Sequence, residues 1–501
     1  MTRIKKLKLN TVFSLINQVV TLVCGFILPR FVLKYFGSNV NGLVSSISQL
    51  LGLISLCELG VGAVVQSSLY KPLVDNDNCQ VSRIMVSAKK FFDKIGFVLL
   101  GYVIILIAFF PLSQLEKFDF MSTAFLIMAM SISFFAQYFF GIRNQILINA
   151  DQRSYVQLFY QIITVALNTV VSIFLIKIGT SIQIVKLSTS IIYLIRPIGL
   201  YFDVKKHYHI DYKINYTEEP IKQKWNGLAQ HFATVVSQNT DTVILTFFST
   251  LTNVSIYNVY YLVVNGIKQV VLSLTTGVQS LFGNMLARDE KELLNSTFES
   301  VEWLLHAVTV VLFTITGMLI VPFVKVYTSG VTDANYIVPI FAILITSATA
   351  SYCLRLPYSM MVLAAGHYKQ TQSSAIIEML INIVVSISLV FSLGLIGVAI
   401  GTLVSMTYRT VYYVIYLKKN ILCRNIMKFI KLISVDLLVV AGIVLGTFWI
   451  KMVEVSYISW VIMALKVCGI GIVVSVVIHF ILCRREAKNA LILITKKKTI
   501  S

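Results

Sequence analysis

Apolar runs of about 20 residues, separated by short polar or basic clusters, recur from one end of the chain to the other. That length matches the hydrocarbon core of a bilayer and predicts membrane-spanning helices rather than strands. Fourteen spans follow, near 10–36, 40–70, 92–112, 121–142, 155–177, 181–203, 225–249, 253–285, 301–326, 334–364, 371–392, 395–417, 430–450 and 457–482. Several exceed what a bilayer needs, which predicts tilt or projection beyond it. The chain opens with MTRIKKLKLN, basic like the start of a signal peptide. The apolar stretch behind it runs to about Phe36, too long for a cleavable core, and reads as an uncleaved first span.

The polar positions inside these runs repeat. Residues 168–173 read NTVVSI and residues 382–387 read NIVVSI, an offset of 214. Arg196 and Arg409 share an offset of 213, as do Lys205–Lys206 and Lys418–Lys419. The span-one exit KYFGSNVN matches the span-seven exit TFFSTLTN at 212. Four landmarks within two residues of one offset indicate a duplication. The chain then divides into a six-helix half (1–210), a cytoplasmic linker (211–222), a second six-helix half (223–420), and two further helices with a basic tail (421–501). An even number of spans per half gives both halves the same orientation, a parallel repeat of the kind transporters use.

Composition agrees with this reading. The 501 residues are 57% hydrophobic and 13% charged, against about 25% charged in a soluble domain. Mean hydropathy is +0.82. Soluble enzyme, nucleic-acid binder and secreted protein are excluded as leading readings. The net charge of +20 reads as topology once located. Counting Lys94 and Lys431 with the loops beside them, 30 of the 42 Lys and Arg fall in segments on the side of the N-terminus. Five (Lys34, Lys117, Lys177, Lys325, Lys451) fall at the opposite ends. The positive-inside rule puts both termini in the cytoplasm, with anionic lipid headgroups as secondary partners and no role for nucleic acid. The loops on the far side are a few residues each, and the largest polar insert, VKKHYHIDYKINYTEEPIKQK at 204–224, is cytoplasmic.

The seven cysteines form no CxxC pair, and the His207–His209 pair supplies too few ligands for a metal site. No HExxH, GxSxG or phosphate-binding glycine loop is present.

Several spans carry polar stripes at helical spacing. Span two has Ser48, Ser55 and Glu58; span five has Gln157, Gln161, Thr164, Asn168 and Ser172. Span seven has Gln230, Thr234, Ser237 and Asp241; span eleven has Gln370, Ser374, Glu378, Asn382 and Ser386. Hydroxyls and amides are explained by bonds between helices, worth about 0.6 kcal/mol each. A charge at a helix centre costs roughly 2.5–3.5 kcal/mol and needs more reason. Basic residues inside the spans are Arg30, Lys186, Arg196, Lys268, Arg355, Arg409 and Lys466; acidic ones are Glu58, Asp241, Glu378 and Asp436. The basic excess implies a cationic cavity for an anionic cargo, and arginine's planar fork suits phosphate.

The segment LPRFVLKYFGSNVNGLVSSISQLLGLISLCELGVGAVVQSSLYKPL resembles the opening of bacterial polysaccharide flippases. The resemblance rests on Pro29, Arg30, Phe36-Gly37, Gly42-Leu43 and Glu58-Leu59-Gly60, and on Asp241 and Tyr257 in SQNTDTVILTFFSTLTNVSIYNVYYLV. Leu43 stands where many members have Tyr, and the span-one arginine pattern of lipid II flippases is not evident. The resemblance implies the Wzx-like branch of the multidrug/oligosaccharidyl-lipid/polysaccharide (MOP) superfamily. It implies an all-α, MATE/MOP-like fold with two parallel six-helix repeats around a central cavity plus two C-terminal helices.

It further implies that no enzyme chemistry is performed. The implied function is movement of undecaprenyl-diphosphate-linked oligosaccharide units across the bacterial cell membrane, from inner to outer leaflet, for capsule, O-antigen or another surface polysaccharide. Polysaccharide polymerases and glycosyltransferases are the implied partners. On this basis Arg30, Lys268, Arg355 and Arg409 would hold the diphosphate, while Asn168 and Asn382 would wet the sugars. Glu58, Asp241 or Glu378 would carry a coupling proton or sodium ion, with no other cofactor. A cation-coupled multidrug exporter and a lipid II-type flippase are the alternatives within the superfamily.

Overall fold

Helix is the only regular structure among the described residues of the computed structural model, which describes 3–58, 61–114, 117–214, 216, 220, 228–275, 278–422, 424–484 and 486. A bilayer interior demands this, because an open strand edge would leave backbone groups without partners. Among the described residues eleven helices are long and apolar enough to cross a membrane, which makes the chain a multi-pass membrane protein. The chain forms two compact units, Met1–Asn239 and Thr240–Ser501.

The first unit opens with α1 (Arg3–Gly52), which is two spans joined without a loop. The turn expected at 37–40 is a single kink at Gly37, where φ is +82° and ψ 177°. A side chain there would clash with the backbone, so glycine lets the chain redirect within one residue. Then come α2 (Val61–Val74), α3 (Asn78–Phe109), α4 (Phe120–Ala136), α5 (Ile142–Ala150), α6 (Ser154–Ile178), α7 (Ile182–Tyr193) and α8 (Ile195–His207). A π-turn at Gln137–Gly141 interrupts the rod formed by α4 and α5. Helix α9 (Leu228–Phe248) runs across the division between the units.

The ends of the first unit are tied by polar side chains. Lys6 meets Asp151 at 2.8 Å, Tyr208 donates to Asp151 at 2.7 Å, and Arg153 pairs with Asp203 at 3.0 Å. These residues come from three segments that the charge count assigns to one membrane face. Burial, then the bond to Asp151, pushes the Tyr208 hydroxyl up, so it stays a donor.

The second unit contains α10 (Leu251–Leu274), α11 (Val278–Ala287), α12 (Lys291–Tyr327), α13 (Pro339–Leu354), α14 (Leu356–Ala364), α15 (Tyr368–Leu393), α16 (Leu395–Asn420), α17 (Met427–Thr447) and α18 (Tyr457–Leu482). Helices α17 and α18 pack on each other and on α12. Their outward residues, among them Leu437, Leu445, Leu465 and Val473, stay exposed, as a lipid-facing surface requires.

The repeat is visible in how helices neighbour one another. In the first unit α2 packs on α5, α3 on α4, α4 on α7, and α6 on α7. In the second the equivalent contacts are α11 with α14, α12 with α13, α13 with α16, and α15 with α16. The repeated hexapeptide sits at the α6–α7 contact of the first unit and the α15–α16 contact of the second. Ser172 donates to Asn168 at 3.2 Å and lies 3.5 Å from Thr189 on α7. Asn382 donates to Thr402 on α16 at 3.2 Å, and Thr402 is Thr189 shifted by 213. Gly401 lets α15 and α16 approach: a Cβ there would stand 2.1 Å from Ser386 Oγ and 2.9 Å from its backbone nitrogen.

Candidate functional site

The second unit gathers its charges where α13 gives way to α14. Pro357 stands in the first turn of α14 and cannot donate a backbone hydrogen bond, so the helix breaks at the preceding residues. Arg355 occupies the junction. Its Nη1 donates to Glu378 Oε1 on α15 at 2.5 Å. Arg409 on α16 holds the other carboxylate oxygen and donates to Tyr413 at 3.0 Å. Tyr352 covers the group, with Arg355 at 4.9 Å and Lys268 at 5.4 Å from its ring centre. Lys268 also lies 5.8 Å from the ring of Tyr261.

The cluster therefore holds three cations and one carboxylate. The side chains of Glu378, Arg355 and Arg409 are 3%, 7% and 11% exposed, so desolvation is a first-order cost here. One carboxylate between two guanidinium groups answers part of it through charge-assisted bonds. The remaining positive charge favours an anion at the same place. Arg409 Nε has no partner among the described residues, which leaves a donor for one.

Asp241 lies elsewhere in the second unit. Its carboxylate accepts from Thr402 at 2.7 Å, Tyr257 at 3.0 Å and Asn382 at 3.4 Å. The oxygen of Asn382 has no partner among the described residues. Three donors satisfy the buried acid, and the spare Asn382 oxygen is the acceptor left open beside it among the described residues.

The first unit repeats the cationic half of the arrangement without the acid. Arg196 on α8 donates to Gln145 at 2.8 Å and Gln157 at 3.3 Å. Arg143, just past the π-turn, is 6% exposed; its Nε and Nη1 have no partners among the described residues, and its guanidinium lies 5.6 Å from the ring centre of Tyr212. Sequence reasoning placed Arg143 in a cytoplasmic connection because the apolar run ends at Ile142. The helix continues to Ala150 and buries it. The signal was available: Arg143 and Arg355 are 212 apart, the offset of the other landmarks. Thr164 stands where the second unit has Glu378, at offset 214. A cavity of about 480 Å³ in the first unit is lined by Ser55, Gln66, Gln137, Gln145 and Asn149 together with apolar groups.

Arg30 is half-buried on the first arm of α1, directly after Pro29. Asn168 is buried between α6 and α7. The structure brings Lys268, Arg355, Glu378 and Arg409 into one cluster, and Asn382 beside Asp241 in another. The side chains of Glu58, Gln230, Thr234 and Ser237 lie outside the described residues. His207 bonds to Asp203, and no group of three metal-ligating side chains occurs among the described residues.

No family model matches the chain, and no curated protein matches it. Solved structures do. The lipid II flippase MurJ in an inward closed conformation superposes with a TM-score of 0.70 at 17% identity, over 95% of this chain and 99% of that one. An inward-facing multidrug resistance MATE family transporter of the MOP superfamily gives 0.62 at 15% identity, over 80% of this chain and 96% of that one. The Vibrio cholerae MATE transporter VcmN gives 0.57 at 13%, over 83% and 98%. These neighbours are transporters rather than enzymes, and the chain has the fold that this flippase and the MATE transporters of the MOP superfamily share.

Proposed function

We propose that this protein is a flippase that carries an undecaprenyl-diphosphate-linked oligosaccharide from the inner to the outer leaflet of a bacterial cell membrane by alternating access. The observation that carries the reading is the buried Glu378 between Arg355 and Arg409, with Lys268 against the Tyr352 ring that Arg355 also meets, a site with net positive charge. A drug exporter for cations would need the opposite balance. The fold neighbours support transport, and the flippase superposition covers 95% of the chain against 80% for the MATE transporter. In this reading the arginines grip the diphosphate, amide side chains wet the sugars, and the polyprenyl tail stays in lipid. Arg30 and Arg143 give the first unit cationic residues of its own. Asp241, with Thr402 and Asn382, is the site for a coupling cation.

An anion leaving a negative interior gains about 2.3 kcal/mol per charge per 100 mV. Charge neutralised by arginines that move with it forfeits that gain, so an ion-coupled step is part of the proposal. A lipid II-type flippase is the second reading, favoured by the superposition on the MurJ structure. Depletion of the protein in cells, followed by extraction of polyprenyl-linked saccharides and an impermeant sugar-modifying probe on spheroplasts, tests both. Oligosaccharide units trapped on the inner leaflet support the first reading. Trapped lipid II supports the second. Normal exposure of both lipids refutes lipid flipping and returns drug export to the front.

A further inference from the structure

A second ionisable cluster lies between α12, α14 and α17, apart from the groups above. Arg424 donates to Glu302 Oε1 at 2.5 Å, and Tyr358 donates to the same oxygen at 2.7 Å. Tyr358 Oη lies 3.1 Å from His306 Nε2, and His306 Nδ1 lies 2.7 Å from Asp436 Oδ2. Glu302, His306, Tyr358 and Asp436 are 2%, 0%, 1% and 4% exposed.

Counting protons decides what this chain of groups must contain. Glu302, Tyr358, His306 and Asp436 are linked by three contacts, and each contact needs one hydrogen. A neutral tyrosine supplies one and a neutral histidine supplies one. With both carboxylates ionised the third contact would set two acceptors against each other at hydrogen-bond distance in a buried place, where an unmade bond is most costly. The charge count agrees. Arg424 against two carboxylates leaves one net negative charge, and one more proton removes it. Burial pulls the Arg424 guanidinium down, but its bond to Glu302 and that carboxylate's charge push it up further, so Arg424 stays a cation.

We propose that α12, α14 and α17 form a binding site for one exchangeable proton, held by Glu302, Tyr358, His306 and Asp436. The proton has two end positions. On Glu302, its O–H donates to Tyr358, Tyr358 donates to His306 Nε2, and His306 Nδ1–H donates to Asp436. On Asp436, its O–H donates to His306 Nδ1, His306 Nε2–H donates to Tyr358, and Tyr358 donates to Glu302. Three protons each shift across one contact to convert the first into the second, and each of the three contacts keeps one hydrogen throughout. Glu302 and Arg424 line a cavity of about 200 Å³ shared with Glu299, Lys428, Lys431 and Glu486, which gives the Glu302 end access to water.

The other ionisable groups here leave the count unchanged. Lys428 pairs with Glu299 and Lys431 with Glu486. His479 on α18 packs its ring 5.5 Å from Trp303, and neither of its nitrogens is bonded among the described residues. Arg409 and Tyr413 on α16 belong to the Glu378 cluster. Cys353 from α13 adds only a neutral thiol to the surrounding apolar core. The site goes beyond the transport proposal, since it requires a bound proton whatever the cargo.

The linkage has a definite sign. The proton count makes the folded chain hold one proton more than the unfolded chain above the ordinary histidine range, so unfolding releases a proton and becomes more favourable as pH rises. The test is equilibrium unfolding of the full chain in mixed micelles between pH 7 and 9, comparing wild type with Asp436→Asn and Tyr358→Phe. The asparagine amide supplies the missing hydrogen, and phenylalanine removes the contacts that demand it. Relative to either variant, the wild-type unfolding constant should rise about tenfold per pH unit, the signature of one proton. Parallel pH dependences in wild type and variants would overturn the proposal. Tyr358→Phe gives the same reading if Asp436→Asn does not fold. The measurement reads proton linkage and not transport, so a failed flippase assay and a failed proton site are separate results.

Discussion

Replacing Glu378 with Gln isolates the central electrostatic argument. The change preserves size and one acceptor oxygen but turns the other oxygen into a donor facing a guanidinium. It raises the cluster formed with Lys268, Arg355 and Arg409 from two net positive charges to three. Because the carboxylate is 3% exposed and its partners 7% and 11%, little solvent screening is available. Breaking a buried ion pair by removing one partner costs about 3–5 kcal/mol. The second unit runs from Thr240 to Ser501. At about 2.1 cal/mol/K per residue, its unfolding entropy is on the order of 0.55 kcal/mol/K, so the melting temperature should fall by roughly 5–9 °C. The assay is thermal unfolding of the purified protein in nanodiscs.

A double replacement sharpens the result. Glu378→Gln together with Arg409→Gln removes one cation as well and returns the count to two. The double variant should recover part of the loss, with a coupling energy of about 1.5–3 kcal/mol between the sites. A single variant melting within 1 °C of wild type, or a double variant whose loss is the sum of its singles, would refute the picture of one carboxylate offsetting two buried arginines.

Other expectations follow from the same contacts. Asp241→Asn should abolish any sodium-dependent rise in melting temperature, since only a bound ion stabilises by mass action; about 2.7 kcal/mol is expected at a hundredfold excess over Kd, and an unchanged sodium response in the variant would exclude that pocket. Gly401→Ala should destabilise by about 1–3 kcal/mol, because the added Cβ meets the Ser386 backbone as well as its hydroxyl; thermal unfolding of the variant checks it. Arg143→Met should be near neutral in stability, since an apolar isostere escapes the cost of a buried cation without a carboxylate, but should slow flipping at least tenfold in a reconstituted leaflet assay if the route includes it.

Much of the fold was legible in the sequence because membrane helices announce themselves by length and apolarity alone. The repeat was legible because the polar residues that survive inside an apolar helix are few and their spacing is conspicuous. What escaped had physical causes. Arg143 was lost because a hydropathy boundary ends where the apolar run ends, whereas a helix ends where its hydrogen bonds do. Glu302 fell at the first residues of an expected span, yet α12 begins at Lys291, ten residues earlier. His306 looked like a single polar residue in an apolar run. Only packing reveals that its two nitrogens face groups on α14 and α17. Glu378 read as a coupling acid from its place in a stripe. Its bonds to Arg355 and Arg409 depend on three helices that sequence spacing does not align.

The divergence between equivalent positions gives the duplication its functional meaning. Where the second unit has Glu378 the first has Thr164, and Arg143 and Arg196 occupy the places of Arg355 and Arg409. The first unit thus keeps two arginines, one bonded to glutamines and one lying against a tyrosine ring, without the acid that partly neutralises their counterparts. At the other end of the repeat, Asp241 aligns beside Arg30 in the first-unit span, again acid in the second unit and base in the first. Identical halves would hold an anion with equal strength and present no distinct place for a cation. Exchanging one acid for a threonine, and another for an arginine, makes the first unit the more cationic while the second retains carboxylates. Both proposed sites, the cationic cluster for the diphosphate and Asp241 for a coupling cation, then lie in the second unit, while the first unit contributes arginines without a neighbouring acid. Introducing the acid into the first unit, as Thr164→Glu, should erase that difference: it should stabilise the arginines of the first unit while slowing transport. A variant with wild-type transport would show that the cargo does not use them.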